Sequence, residues 1–183
     1  MHLARRAWCR TYQTVFRIAL PILPYTEPRI LEHAEDVPAV LQKRSIQKVL
    51  IVTDPGIARL GLTASLERAL TAQGVGVAVY AKTSANPTVS NVEEAASLYR
   101  ESVCQAIIGF GGGSAMDCAK GVGARIAQPN KPINKMRGLL RVHRLLPLLI
   151  AVPTTAGTGS EVTLAAVITD DETHYKYLSL IHI

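Results

Sequence analysis

The chain has 183 residues, 48% hydrophobic and 19% charged, which fits about one soluble globular domain with a real core and excludes a disordered tract. Its net charge of +6 is uneven: Arg5, Arg6, Arg10 and Arg17 precede the first acid, Glu27, and Lys120, Arg125, Lys131, Lys135, Arg137, Arg141 and Arg144 lie between Asp117 and Glu161 without one carboxylate. Cys9, Cys104 and Cys118 are odd in number and lack Cys-x-x-Cys spacing, which argues against a disulfide or zinc framework and for a reducing, cytoplasmic setting in which the thiols are buried and inert.

Residues 1–24 form a basic, apolar extension without acids. Pro21 and Pro24 interrupt it and no small-x-small site follows, so a helix lying on the domain or against a membrane surface is preferred over a cleaved signal. The longest apolar stretch, 145–153, falls far short of the ~20 residues of a membrane span.

From Lys48 onward, β-branched runs alternate with helical periodicity, the pattern of parallel strands joined by crossover helices in an open α/β sheet with helices on both faces. Strands are predicted at 49–53, 75–80, 105–110 and 148–152, with a last strand at 164–168 in a hairpin or at a sheet edge. Between them, Leu62, Leu66, Ala69 and Leu70 repeat at helical spacing, as do Val92, Ala95, Ala96, Tyr99 and Val103, and then Met116, Ala119, Val122 and Ile126. Right-handed crossovers bring all the strand C-terminal ends to one side, where ligands of such sheets bind.

Two small-residue loops leave that edge. Gly111, Gly112 and Gly113 let the backbone approach a ligand closely, and Ser114-x-x-Asp117 has capping-box spacing, with free helix N–H groups left for an anion. The second loop, 153–161, carries Thr154, Thr155, Thr158 and Ser160 as hydroxyl donors, with Thr158-x-x-Glu161 again at capping-box spacing. Neither is a common nucleotide signature. Gly109-x-Gly111-x-x-Ser114 lacks the third glycine of the dinucleotide fingerprint, and no Gly-Lys-Ser/Thr marks a P-loop. The basic stretch between the loops either raises the potential for an anionic cofactor or is a solvated surface. With little interleaved aromatic surface, it does not read as a nucleic-acid site.

Together the loops resemble those of the iron-containing (group III) alcohol dehydrogenases. The family's Gly-Gly-Gly-Ser-x-x-Asp-x-Ala-Lys stands at 111–120, and its Pro-Thr-Thr-Ala-Gly-Thr-Gly-Ser-Glu-Val-Thr at 153–163 without mismatch. The resemblance covers roughly 25–177 and includes Thr53-Asp54, Asn86-Pro87-Thr88 and 166–170; the tail 178–183 departs from it and reads as a run-on. It implies a Rossmann-like, dehydroquinate synthase-like N-terminal domain that binds NAD, with the family's helical C-terminal domain beyond this sequence.

By that resemblance, Asp54, Asn86, Gly111, Gly112, Gly113, Ser114, Asp117, Thr154, Thr155, Thr158 and Lys176 contact the cofactor. Asp54 would take the ribose hydroxyls and favour NAD over NADP, although Asp-Pro-Gly alone reads as a turn. Asn86 alone is likewise an ordinary turn residue. Lys120 reads as an exposed helix charge outside the site. The family binds its divalent metal, iron or zinc, with one aspartate and three histidines, and none of those positions falls in this sequence. His2, His33, His143, His174 and His182 show no metal-ligand spacing. The reading is the cofactor-binding part of an alcohol dehydrogenase acting on a small alcohol or aldehyde, inactive by itself and compatible with a homo-oligomer when whole. The alternatives are a stand-alone nucleotide-binding module and a piece of a glycerol dehydrogenase-like enzyme.

Overall fold

The computed structural model describes residues 10, 11, 14, 28–138, 141, 142, 144–163 and 165–180. Most of the N-terminal extension, with Cys9, falls outside them; Arg10, Thr11 and Thr14 are helical.

Four strands form one parallel sheet: β1 (Lys48–Val52), β2 (Gly76–Tyr80), β3 (Ala106–Gly111) and β4 (Leu148–Pro153), in the order β2-β1-β3-β4. Val49 pairs with Val77 on one side and Ala106 on the other, while Ala106 through Gly111 run in register with Leu148 through Pro153. The central strands are buried on both faces, which is why they read as continuous apolar runs rather than alternating ones.

Helices cover both faces. Val49, Ile51, Ala106, Ile108 and Phe110 pack with Val37 and Leu41 of α1 (Val37–Lys43) and with Leu66 and Leu70 of α3 (Ala64–Ala72), which follows a short α2 (Pro55–Arg59). Leu50, Val52 and Ile107 face the other way, onto Val92, Ala95, Ala96 and Tyr99 of α4 (Val89–Glu101) and Cys118, Ala119 and Val122 of α5 (Gly113–Ala127). The period of two along each strand thus divides the core into two layers. Cys104 and Cys118 are buried free thiols, as read from the sequence.

The predicted start of α3 at Leu62 is early, because Leu62 sits in the preceding turn and is exposed. A true capping box opens α4 instead: Thr88 Oγ1 accepts the Asn91 N–H, and Asn91 Oδ1 accepts the Thr88 N–H.

The last predicted strand is one arm of an antiparallel hairpin, β5 (Ala165–Thr169) and β6 (Lys176–Leu180). Ladder pairing extends through Leu180, past the sequence boundary drawn at Tyr177. The hairpin lies against α5 with Ala166 and Ile168 fully buried, and the Thr169 N–H reaches the Pro87 carbonyl at 2.8 Å. No helix among the described residues is long and apolar enough to cross a membrane.

Candidate nucleotide-binding cleft

β1, β3 and β4 deliver Asp54, Gly111 and Thr154 to one edge of the sheet. Parallel pairing forces this, since strands in register end together. The Thr154 N–H donates to the Gly111 carbonyl at 2.9 Å, so the two loops leave the sheet side by side.

Gly111 has φ 145°, which L side chains rarely adopt. A Cβ there would lie 2.9 Å from the Ala115 Cβ and 3.3 Å from Asp54 Oδ2. Asp54 faces the glycine loop while also capping α2, its Oδ1 accepting the N–H groups of Gly56 at 2.8 Å and Ile57 at 3.0 Å. The turn reading and the cleft reading therefore hold together: one oxygen caps and the other faces Gly111.

The predicted capping box at Ser114 and Asp117 does not form. Gly112 stands at the N-cap position of α5 in extended backbone and, having no side chain, leaves the helix uncapped. Ser114 Oγ instead accepts the Asn86 N–H at 3.2 Å, and the Asp117 carboxylate turns away to accept the Val167 N–H at 3.2 Å. The first amides of a fifteen-residue helix consequently open toward the cleft without a side-chain acceptor.

The hydroxyl loop lies directly over these glycines. An ideal Cβ on Gly112 would stand 3.1 Å from Thr155 Oγ1, and one on Gly113 would stand 3.1 Å from Ser160 Oγ and 3.7 Å from Thr158 Cβ. The second capping-box expectation also fails, because no helix starts at Thr158. Its Oγ1 accepts the Ser160 N–H at 3.3 Å within a turn and lies 3.4 Å from Glu161 Oε2. Lys176 Nζ donates to Asn86 Oδ1 at 2.9 Å, placing a cation beside the cleft from the far hairpin arm. Asn86 itself is left-handed, φ 61°.

Lys120 corrects the sequence reading most sharply. It is 2% exposed rather than a surface charge, and its ammonium donates to Thr163 Oγ1 at 3.0 Å and the Ala165 carbonyl at 2.8 Å, with Asp117 Oδ1 at 3.5 Å. Burial pushes the Asp117 carboxyl up and the Lys120 amine down, and the attraction between the two opposes both shifts. The signal was present: within 115–124 Asp117 and Lys120 are the only charges, one turn apart in a run of Ala, Gly, Cys, Met and Val.

Of the intervening basic stretch, Arg125 pairs with Glu93 at 2.7 Å, Lys131 donates to the Arg141 carbonyl and Arg137 stacks 4.4 Å from the Tyr175 ring centroid. These three have structural partners, which favours the surface reading for them. An open groove of about 550 Å³ beside β2, lined by Tyr80, Lys82, Glu94 and Glu101 among others, includes none of the predicted residues. Among the described residues no group of three or more His, Cys, Asp or Glu could hold a metal ion.

A parallel α/β sheet with a glycine-rich turn into an uncapped helix, faced by a second loop of hydroxyls, defines a Rossmann-like nucleotide-binding fold. The profile of the family described as iron-containing alcohol dehydrogenase matches residues 30–182, and the chain belongs to that family. Choline dehydrogenase of Bacillus subtilis is 38% identical over 134 residues, 72% of this chain and 33% of that protein. The solved alcohol dehydrogenase of Oenococcus oeni superposes with a TM-score of 0.76 at 37% identity, over 81% of this chain and 39% of its own. Sulfoacetaldehyde reductase from Bifidobacterium kashiwanohense, solved in complex with NAD+, gives 0.73 at 28% identity over 86% and 42%. The chain thus spans about a third of the length of the curated relatives it matches.

Proposed function

We propose that this chain carries the NAD-binding part of an alcohol dehydrogenase, the diphosphate lying along the mouth formed by the glycine turn at 111–113 and the hydroxyls of Thr154, Thr155 and Thr158. The uncapped N-terminus of α5 carries this reading, since its amides and the helix dipole suit an anion and no side chain satisfies them. The free side of Asp54 suits ribose hydroxyls and repels a 2′-phosphate, which favours NAD over NADP. Ser114, Asn86 and Lys176 form one hydrogen-bonded chain along the cleft, with Lys176 toward the nicotinamide end. Asp117, bound to Val167 and Lys120, acts on the diphosphate region by holding the hairpin rather than by touching the cofactor.

Bound NAD would supply the hydride acceptor for oxidation of the alcohol carbon. The chain's own residues bind it and orient it. The iron or zinc of the family's chemistry does not fit the described residues, and the chain alone binds NAD without turning over alcohols. Titration of the purified chain should give saturable NAD binding that Gly112→Val removes, because a branched side chain meets Thr155 and fills the cradle. Unchanged affinity in a folded Gly112→Val variant, or no NAD binding by the wild type, would overturn the assignment. Steady NADH formation from short alcohols with added iron or zinc would contradict the inactivity.

A further inference from the structure

A lysine ammonium leaves water only where hydrogen bonds and a counter-charge replace its hydration. Lys120 has all of these, and the cleft described above does not use it. Its partners Thr163 and Ala165 lie where the hydroxyl loop passes into β5. Asp117, one turn earlier on α5, holds Val167 two residues further on. Next to them, a Cβ on Gly121 would lie 2.8 Å from Val92 Cγ2 and 3.0 Å from Ile168 Cδ1, so the hairpin and α4 both close onto α5 at this level. The other end of the loop is held by the Thr154 to Gly111 bond. Between these anchors, residues 154–158 are exposed.

We infer that Lys120 is a positioning residue for the diphosphate site: with Asp117 it clips the far end of the hydroxyl loop to the same helix whose N-terminus forms the opposite wall. The first turn of α5 carries one wall and its second turn holds the other, so a single rigid element sets how far Thr155, Thr158 and Ser160 stand from Gly112 and Gly113. Lys120 also balances Asp117, which would otherwise place an uncompensated negative charge close beneath an anion. This inference rests on reading the cleft as a nucleotide diphosphate site.

Two measurements on the full chain test it. In the ligand-free protein, Lys120→Met should speed amide exchange at 155–163 and at Val167 by about tenfold, with the amides of β1 and β3 unchanged. In titrations, the same variant should weaken ADP by about tenfold while adenosine, which has no phosphate, changes by less than about twofold. Thr163→Val, at an exposed position, should move both readings the same way by about threefold, and it decides the matter if Lys120→Met does not fold. Loop exchange equal to wild type in a folded variant overturns the clip. Faster exchange with equal loss of ADP and adenosine, or with ADP affinity unchanged, overturns the positioning role. A wild type that binds no ADP overturns the nucleotide reading and the positioning role with it, while exchange still judges the clip.

Discussion

The two walls of the cleft are held in opposite ways. β3 is buried along its whole length and bonded on both sides, to β1 and to β4, so the glycine turn at its end inherits the rigidity of the sheet. The hydroxyl loop is exposed over 154–158 and is anchored chiefly where it leaves β4 and where Lys120 meets Thr163 and Ala165. One wall therefore offers fixed amides and the other offers hydroxyls that local opening can move. Substitutions in the first should damage stability, and those in the second should damage binding while leaving stability nearly intact.

The hardest test of the rigid wall is Gly111→Ala. Its backbone sits at φ 145° and the new Cβ would meet the Ala115 Cβ at 2.9 Å, so a loss of roughly 2–4 kcal/mol is expected in denaturant unfolding. A variant within about 0.5 kcal/mol of wild type would show that this wall yields as easily as the loop.

High pH should attack the same sheet and helix core. Burial pushes the Cys118 thiol up to about 12 from 9.0 and the Tyr99 hydroxyl up to about 12 from 10.0. Both groups hold their protons more tightly folded than unfolded, so stability is full below pH 9 and falls as pH rises from about 9 toward 12. Thermal melts should trace that decline, and Cys118→Ala should flatten its first part. A slope identical in Cys118→Ala would remove the thiol from the account.

Asp54→Gly sits between the two regimes. Glycine is a tolerable N-cap, so stability should fall by only a few tenths of a kcal/mol while NADP binding rises toward parity with NAD. An unaltered ratio would leave Asp54 as a cap alone. Thr155→Ala should change stability as little, within about 0.5 kcal/mol, and lower NAD affinity by roughly threefold. A large loss of stability there would mean that the loop supports the sheet, contrary to the contrast drawn above.

The sheet was legible because a parallel strand buried on both faces needs only an apolar run: the strand expected at 49–53 is observed as Lys48–Val52. The two loops were legible as residue types for the same local reason, since glycine and threonine turns follow directly on such runs. Side-chain direction was not. Ser114 and Asp117 satisfy a local spacing template, but their observed partners, Asn86 and Val167, are 28 and 50 residues away. Lys120 was missed because an isolated lysine on a helix is read as solvated, whereas this helix is enclosed by the sheet, α4 and the hairpin. The lone Asp117–Lys120 pair in an uncharged run marks its burial, but Thr163 and Ala165, which accept its hydrogen bonds, come from a segment more than 40 residues on that local spacing does not reveal.

Asn86 carries a further consequence, one of chemical ageing. Asparagines in open, left-handed turns commonly decay when the next backbone nitrogen attacks the side-chain amide and closes a succinimide ring. Asn86 has the conformation but is followed by Pro87, whose nitrogen carries no hydrogen and cannot complete that attack. Its side-chain amide oxygen, Oδ1, also accepts the Lys176 ammonium at 2.9 Å. The residue that links the β2–α4 turn to both α5 and β6 is thus protected by its neighbour from the slow conversion to aspartate that would place a second carboxylate beside the cleft.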